Sequence, residues 1–421
     1  MTHKKLKITI CSYDGKDYFG GPYEWVKRFG LALRTVDVEV SFLFFSDHNP
    51  SCSSTYQYLK ERGFDCQILP HHSFSQYHDN TEDRVRWCLQ QVRQNPPDVF
   101  IANAVLPALF AGRWIKQAGI PVIGVLHTDD VRHEWLFEEF VSASKEFCVS
   151  ALVCVSEMLR EKVVSFNTWD VPVEVISCGT PIPTRQKIKD ASPLKIVYAG
   201  KLTEEAKQIS LLAKAFCRAV NEIEEIEAYV YGDGPAKKNV QSILEQEDLG
   251  HRVHYEGFVS SMEIQEKLAD KHVIVLLSDY EGLPIILMEA MACGLVPVCL
   301  NIRSGIPELV KQEETGLLVN DRDGDFIQAI KKLKTDSTLL QKLSAQALHE
   351  VNKHHAMSII VDKWLLLVNQ LVKDSSKSAV EIPDRMILPS VNKHLKGIDE
   401  RKDSLIRYVG KQWLRIRRNI L

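Results

Sequence analysis

No apolar stretch in the sequence approaches the roughly 18–20 residues that cross a bilayer as a helix, so a helical membrane span is not expected. No two of the ten cysteines have C-x-x-C spacing; scattered singly through 421 residues, they read as buried free thiols of a reducing compartment. Neither sign of charge dominates: 52 Lys and Arg stand against 55 Asp and Glu, a formal net charge of −3, which leaves no whole-protein field for nucleic acid. The N-terminus MTHKKLKITICSYDGKDYFGG lacks the apolar core of a secretory leader, since its short run alternates like a strand and ends in a glycine loop. A cytoplasmic chain is expected, free or held peripherally at the inner membrane face. No Ser/His/Asp or Cys/His set stands out. The adjacent pairs His71–His72 and His354–His355 lack the i, i+4 spacing of a helical zinc pair. The triplet Asp321-Arg322-Asp323 follows an apolar strand and opens a helix, so neither a metal nor a cofactor is expected.

What is present is a double series of short β-rich runs separated by helical stretches. The first comprises LKITICS (6–12), VEVSFLFF (38–45), CQIL (66–69), DVFIA (98–102), VIGVLH (122–127), ALVCVS (151–156) and VEVIS (173–177). The second comprises KIVYAG (195–200), EAYVYG (227–232), VHYEG (253–257), VIVLLS (273–278), VPVCL (296–300) and GLLV (316–319). Many lack a period of two, as expected when helices cover both faces of a parallel sheet. The expected fold is α/β: two doubly wound, Rossmann-like parallel-sheet domains facing each other across a cleft. Residues 1–180 form the first domain, 181–193 a proline-bearing linker and 194–353 the second domain. Residues 354–373 form a helix returning toward the first domain, and 374–421 a linker with a basic amphipathic tail that could touch anionic lipid or pack on the fold. Ligands in such sheets bind beyond the carboxyl ends of strands, and Gly200, Gly232, Gly234, Gly257 and Glu281 all follow strand ends.

The stretch EGLPIILMEAMACGLVPV (281–298) is the most telling. It predicts a helix from Pro284 to about Cys293, stopped by Gly294. The helix has no polar face and should be buried, yet it carries Glu289. Gly282 and Leu283 before it supply no capping side chain, so the amides of Ile285, Ile286 and Leu287 are open to an anion. Helical side chains lean toward the N-terminus, which brings Glu289 to the same place. A sugar nucleotide would satisfy both anomalies, with phosphate at the helix start and a hydroxyl on Glu289. An Arg or Lys from elsewhere in the fold would neutralise the acid equally well.

With Glu281 and Glu289 eight positions apart and glycines ending three strands, the chain resembles the family 4 retaining glycosyltransferases of the GT-B fold, the glycosyl transferases group 1. The resemblance covers roughly residues 8–370. It is carried by VYAGKL (197–202), YGDGP (231–235), EGFV (256–259), the acid-seven-acid stretch, SGIPELV (304–310) and TGLLV (315–319). Lys201 stands where that family usually has Arg, and Gln208 after Lys207 where it usually has Gly.

The resemblance implies a retaining, metal-independent hexosyltransferase using a UDP- or GDP-linked sugar. It implies a glycan, lipid or small molecule as acceptor, and a place in polysaccharide or glycolipid biosynthesis. Lys201 and Lys207 would hold the departing diphosphate, Glu281 would place the donor sugar, and His127 would face its anomeric region. Gly20, Gly21, Gly200, Gly232, Gly234, Gly257, Phe258, Gly282, Leu283, Pro284 and Ile285 would line the donor, with Glu289 on the ribose. On this reading Glu289→Ala abolishes donor binding and leaves the fold intact. The departures at Lys201 and Gln208 keep open a non-catalytic partner subunit, and the two-domain architecture a sugar-nucleotide epimerase.

Overall fold

In the computed structural model, which describes residues 5–15, 20–46, 53–70, 80–128, 133, 136, 138–184, 192–373 and 375–389, strands alternate with helices through most of both domains and three helices follow the last strand. The His71–His72 pair, most of the proline-bearing linker and the basic tail (403–421) lie outside the described residues. The first domain runs β1 (Lys7–Asp14), α1 (Gly21–Arg34), β2 (Glu39–Ser46), α2 (Ser54–Glu61), β3 (Asp65–Pro70), α3 (Asn80–Gln94), β4 (Val99–Ala102), α4 (Leu106–Gln117), β5 (Val122–Leu126), β6 (Ala151–Cys154), α5 (Glu157–Val164) and β7 (Val173–Val175). The second begins with β8 (Leu194–Ala199), α6 (Ile209–Glu222), β9 (Ile226–Tyr231), α7 (Lys237–Glu247), β10 (Val253–Gly257), α8 (Ile264–Leu268) and β11 (Val273–Leu276). It continues with α9 (Ile285–Ala292), β12 (Val296–Leu300), α10 (Ile306–Leu309), β13 (Leu317–Val319), α11 (Gly324–Thr335), α12 (Ser337–His354) and α13 (Met357–Val372).

All pairings in both sheets are parallel, in the orders β3-β2-β1-β4-β5-β6-β7 and β10-β9-β8-β11-β12-β13. Strand order reverses between β1 and β4 in the first sheet and between β8 and β11 in the second. These switch points open crevices at the strands' carboxyl ends. Every residue of β4, β5, β6, β11 and β12 is buried, which explains why those runs are apolar without alternation. All nine cysteines among the described residues are buried free thiols. No helix among the described residues is long and apolar enough to cross a membrane.

The chain passes between the domains at two places that are bonded to each other. Thr180 pairs with Ala356; its amide donates to the His355 carbonyl (2.9 Å) and its own carbonyl accepts from Met357 (3.0 Å). Beyond this crossing α13 packs on α1, its buried Trp364 within 5.7 Å of the Trp25 ring and 5.1 Å of the Phe29 ring. Residues 375–389, expected as a linker, instead form an extended strap on the first domain. Ser378 donates to the Ala118 carbonyl (2.9 Å), Arg86 donates to that of Pro383 (2.9 Å), and Lys377 pairs with Asp98. Val380, Met386 and Leu388 anchor the strap, each at most 5% exposed. Their spacing matches neither helix nor strand, so no periodicity marked them as buried.

The helix that dominated the sequence differs from expectation by one residue at its start. Pro284 is its N-cap, in an extended conformation (φ −70°, ψ 116°), and helical geometry begins at Ile285. The carbonyl of Pro284 accepts from the Leu287 amide at 3.1 Å, so only Ile285 and Ile286 remain as candidate anion donors. The helix ends as expected, with Gly294 in the left-handed region (φ 75°).

Candidate active site

The two switch-point crevices face one another, and the helices that start there nearly touch. α1 begins at Gly21 and α9 at Ile285, neither with a side-chain cap. A methyl group placed on Gly21 would sit 3.3 Å from Ile285 Cδ1. Two positive dipole ends meeting in this way repel each other unless an anion lies between them. Backbone approach is closer still at Gly282, where a Cβ would stand 2.1 Å from the carbonyl oxygen of His127 in the opposite domain. Only glycine fits here with the cleft in this arrangement.

Glu281 and Lys207 are brought together across the β8–β11 switch. The Lys207 ammonium donates to Glu281 Oε1, with the two side chains 20% and 10% exposed. The supporting turn is held by Gln208, whose Nε2 donates to Asp279 Oδ2 (2.7 Å), and by the Asp279 amide on the Ala206 carbonyl (2.8 Å). Gln208 takes the left-handed conformation (φ 46°) that the usual glycine would adopt freely. A non-glycine residue held there costs about 1 kcal/mol of local strain. Lys201 is exposed and pairs with no described acid; its carbonyl accepts from the Tyr198 hydroxyl at 2.9 Å. Gly232 packs so closely beneath this turn that a Cβ would fall 1.9 Å from the Gly200 carbonyl. Gly257 and Phe258 begin the next loop, and Phe258 is 55% exposed.

Glu289 is not left without a partner. Arg28, on α1 of the first domain, donates through Nη2 to Glu289 Oε1, the two side chains only 6% and 5% exposed. The same nitrogen donates to the Ser261 carbonyl (3.2 Å), and Ser261 Oγ donates to Glu24 on α1. Burial pushes the Glu289 carboxyl above its usual range; Arg28 opposes that shift by charge and hydrogen bond, while Glu24 adds to it. Sequence reasoning left the identity of this cation open. Its sequence signal was the mirror image of Glu289: a charged residue at the i, i+3, i+4 positions Trp25, Arg28 and Phe29 of an apolar helix face.

His127 lies at the cleft, but its ring serves its own domain. Asn103 Nδ2 donates to the Ser12 hydroxyl (3.3 Å) and the Pro22 carbonyl (3.4 Å), which turns Oδ1 toward His127 Nε2 at 2.6 Å. That nitrogen must carry the proton, leaving Nδ1 to accept from the Cys178 thiol at 3.6 Å. Burial pushes the imidazole down to about 3, so it is neutral. The His127 group that approaches the opposite domain at Gly282 is its backbone carbonyl.

A second carboxylate also crosses between domains. Glu308 caps α5, accepting from the amides of Glu157 (2.9 Å) and Met158 (3.0 Å). The acid-x-acid triplet caps a helix too, with Asp321 Oδ1 accepting from the amides of Asp323 (2.8 Å) and Asp325 (3.0 Å).

Two family models match in succession: Glycosyltransferase Family 4 over residues 19–182 and Glycosyl transferases group 1 over residues 181–350. Among curated proteins, the colanic acid biosynthesis glycosyltransferase WcaL of Escherichia coli (strain K12) is 34% identical over 176 residues, 39% of this chain and 43% of its own length. The amylovoran biosynthesis glycosyltransferase AmsK of Erwinia amylovora is 28% identical over 247 residues, 55% of this chain and 60% of its own. The matched stretch thus spans less than two thirds of either relative. A solved structure of S. aureus TarM in complex with fondaparinux, α-GlcNAc-glycerol and UDP superposes with a TM-score of 0.70, at 14% identity over 86% of this chain and 100% of that one. Anabaena HepE in complex with UDP-glucose does so at 0.67, with 15% identity over 87% and 100% of the two chains. At such identity the likeness establishes the architecture alone: two facing parallel-sheet domains of the GT-B fold. By its two successive family matches and its fold, the chain belongs to the family 4, group 1 glycosyltransferases.

Proposed function

We propose that the chain transfers a sugar, with retention of anomeric configuration, from a nucleotide sugar to a saccharide acceptor in surface-polysaccharide assembly. The observation that carries this reading is the meeting of two uncapped helix starts, α1 and α9, beside Lys207, Glu281 and Glu289. Two dipole ends and an ammonium form a receptor for a diphosphate, and the two acids lie within reach of hydroxyls on either side of it. A uridine diphosphate donor is favoured because UDP and UDP-glucose are the ligands named for the TarM and HepE structures. The saccharide acceptor rests on relatives named for colanic acid and amylovoran biosynthesis.

In this scheme the bond between the anomeric carbon and the phosphate oxygen breaks while the acceptor oxygen bonds to the same face of that carbon. The acceptor's proton passes to the departing diphosphate. Charge developing on the diphosphate is met by Lys207 and the amides of Ile285 and Ile286, donors fixed before the reaction begins. Lys207 exchanges Glu281 for phosphate, freeing that carboxylate for the sugar hydroxyls. Glu289 accepts from the ribose. No protein nucleophile is required.

The test is a thermal-shift panel of UDP-, GDP- and ADP-sugars, because a ligand that binds the native state stabilises it by mass action. Stabilisation by a UDP-sugar, and its loss in Lys207→Ala, support the reading. A chain that none of the panel stabilises would overturn it. The anomeric configuration of the product, read by proton NMR, tests retention. Turnover undiminished by a chelator tests independence of metal.

A further inference from the structure

Arg28 belongs to neither the acid-seven-acid stretch nor the glycine turns, yet it touches two parts of the proposed nucleotide site at once. Its Nη2 donates to Glu289, the acid assigned to the ribose. It also donates to the carbonyl of Ser261, in the loop that follows Gly257 and Phe258. Its Nη1 is buried and has no hydrogen-bond partner, on a residue only 7% exposed. A buried guanidinium nitrogen left unpaired costs free energy, and a ligand acceptor would remove that cost.

We propose that Arg28 is a nucleotide-positioning residue supplied by the domain opposite the nucleotide site. It holds Glu289 as the oriented carboxylate that accepts ribose hydroxyls, ties down the loop through Ser261, and offers Nη1 to an acceptor oxygen of the bound nucleotide. The inference rests on the nucleotide-sugar reading above.

Several features support a positioning role over a structural one. Glu289 sits among the apolar side chains of α9, where burial raises its carboxyl above the usual range and the adjacent guanidinium opposes that rise by charge and hydrogen bond without cancelling it. A protonated carboxyl would lose acceptor capacity that two neighbouring ribose hydroxyls need. Glu24, one helical turn before Arg28, accepts from the hydroxyl of the same Ser261, and Tyr58 donates to the sulfur of the adjacent Met262 (3.4 Å). The first domain thus grips the loop by three side chains, and Arg28 is the one that also reaches the acid.

The experiment is calorimetric titration of the full chain with UDP, and separately with GDP and ADP, for wild type, Arg28→Met, Arg28→Lys, Glu289→Gln and the Arg28→Met/Glu289→Gln double variant. We expect Arg28→Met to weaken UDP binding at least 10-fold and Arg28→Lys, which keeps charge without the planar fork, to fall between it and wild type. The double variant should bind more weakly than Glu289→Gln alone, because the Ser261 tie and the Nη1 contact do not pass through that acid, but the added loss should be smaller than the one Arg28→Met causes in wild type. Wild-type affinity in Arg28→Met, or tighter binding, overturns the inference; tighter binding would make Arg28 a competitor of the ribose. Should Arg28→Met fail to fold, Arg28→Lys decides by the same criterion. A wild-type chain that binds none of the three nucleotides sinks the nucleotide reading itself, a result distinct from an Arg28 variant that binds as wild type does.

Discussion

Removing Glu289 should cost the fold as well as the ligand, contrary to what the sequence suggested. The carboxylate is 5% exposed and the guanidinium paired with it 6%. In Glu289→Ala the cation stays buried, with the Ser261 carbonyl as its remaining acceptor at 3.2 Å. Breaking one side of a buried ion pair destabilises by about 3–5 kcal/mol, chiefly because the surviving charge is uncompensated. The pair spans the two domains, so opening of the cleft can return Arg28 to water, and the cost of opening sets the ceiling on the loss. Replacing both partners with apolar residues of similar volume, Arg28→Met with Glu289→Leu, removes the charge problem and should recover most of the stability. The assay is urea unfolding followed by tryptophan fluorescence for wild type, Glu289→Ala, Arg28→Met, Glu289→Leu and the Arg28→Met/Glu289→Leu double, the last three read with wild type as a double-mutant cycle. We expect a coupling of roughly 2–4 kcal/mol, with the double variant unable to bind nucleotide despite its recovered stability. A Glu289→Ala protein within about 1 kcal/mol of wild type, or a double variant no more stable than the singles, refutes the reasoning.

Three further outcomes are expected. Gly282→Ala places a Cβ 2.1 Å from the His127 carbonyl oxygen, so the cleft cannot adopt this arrangement; a misplacement of about 1 Å should lower turnover on the order of 100-fold, and full turnover in a steady-state assay would count against closure at this point. Truncation after residue 373 exposes the surface under Val380, Met386 and Leu388, each worth roughly 1.5–3 kcal/mol as an upper bound, so it should lower the urea midpoint, and an unchanged midpoint would refute the packing of the strap. Burial pushes the imidazoles of His355 and His127 down to about 4 and about 3. As pH falls below the ordinary 6.5 the unfolded chain therefore takes up protons first. Their contribution is complete above pH 6.5 and is lost as pH falls toward 4 and then 3, by at most about 1.4 kcal/mol per unit for each. A His355→Gln variant should show a shallower acid slope, and an unchanged slope in pH-dependent unfolding would refute the assignment.

The fold was legible because both of its signals are local. A strand buried on two faces must be apolar throughout, as β4 and β11 are, and a turn such as that at Gly232 demands glycine wherever it is placed. The one-residue error at Pro284 is of the kind that propensity cannot resolve, since proline fits both the cap and the first helical position. The strap was misread for a different reason: Val380, Met386 and Leu388 follow the shape of the surface beneath them and no period of their own. The position of His127 at the end of β5 is legible in the sequence, and its carbonyl lies against Gly282 of the opposite domain. Which part of it faces the opposite domain depends on Asn103 and Cys178, residues distant in the chain.

By itself the sequence determined that two parallel-sheet domains would form, and that α9 would be buried, open at its start and carrying one acid. Hydrophobic pattern, helix caps and turn chemistry are written within a few residues of where they act. Only the tertiary structure decided what that acid meets. Arg28 and Glu289 lie 261 positions apart, on helices of different domains, and each looks like an isolated error of patterning until the cleft brings them together. A buried charge announces locally that a partner exists, because desolvation forbids it to stand alone; the identity of that partner is set by how the two domains meet.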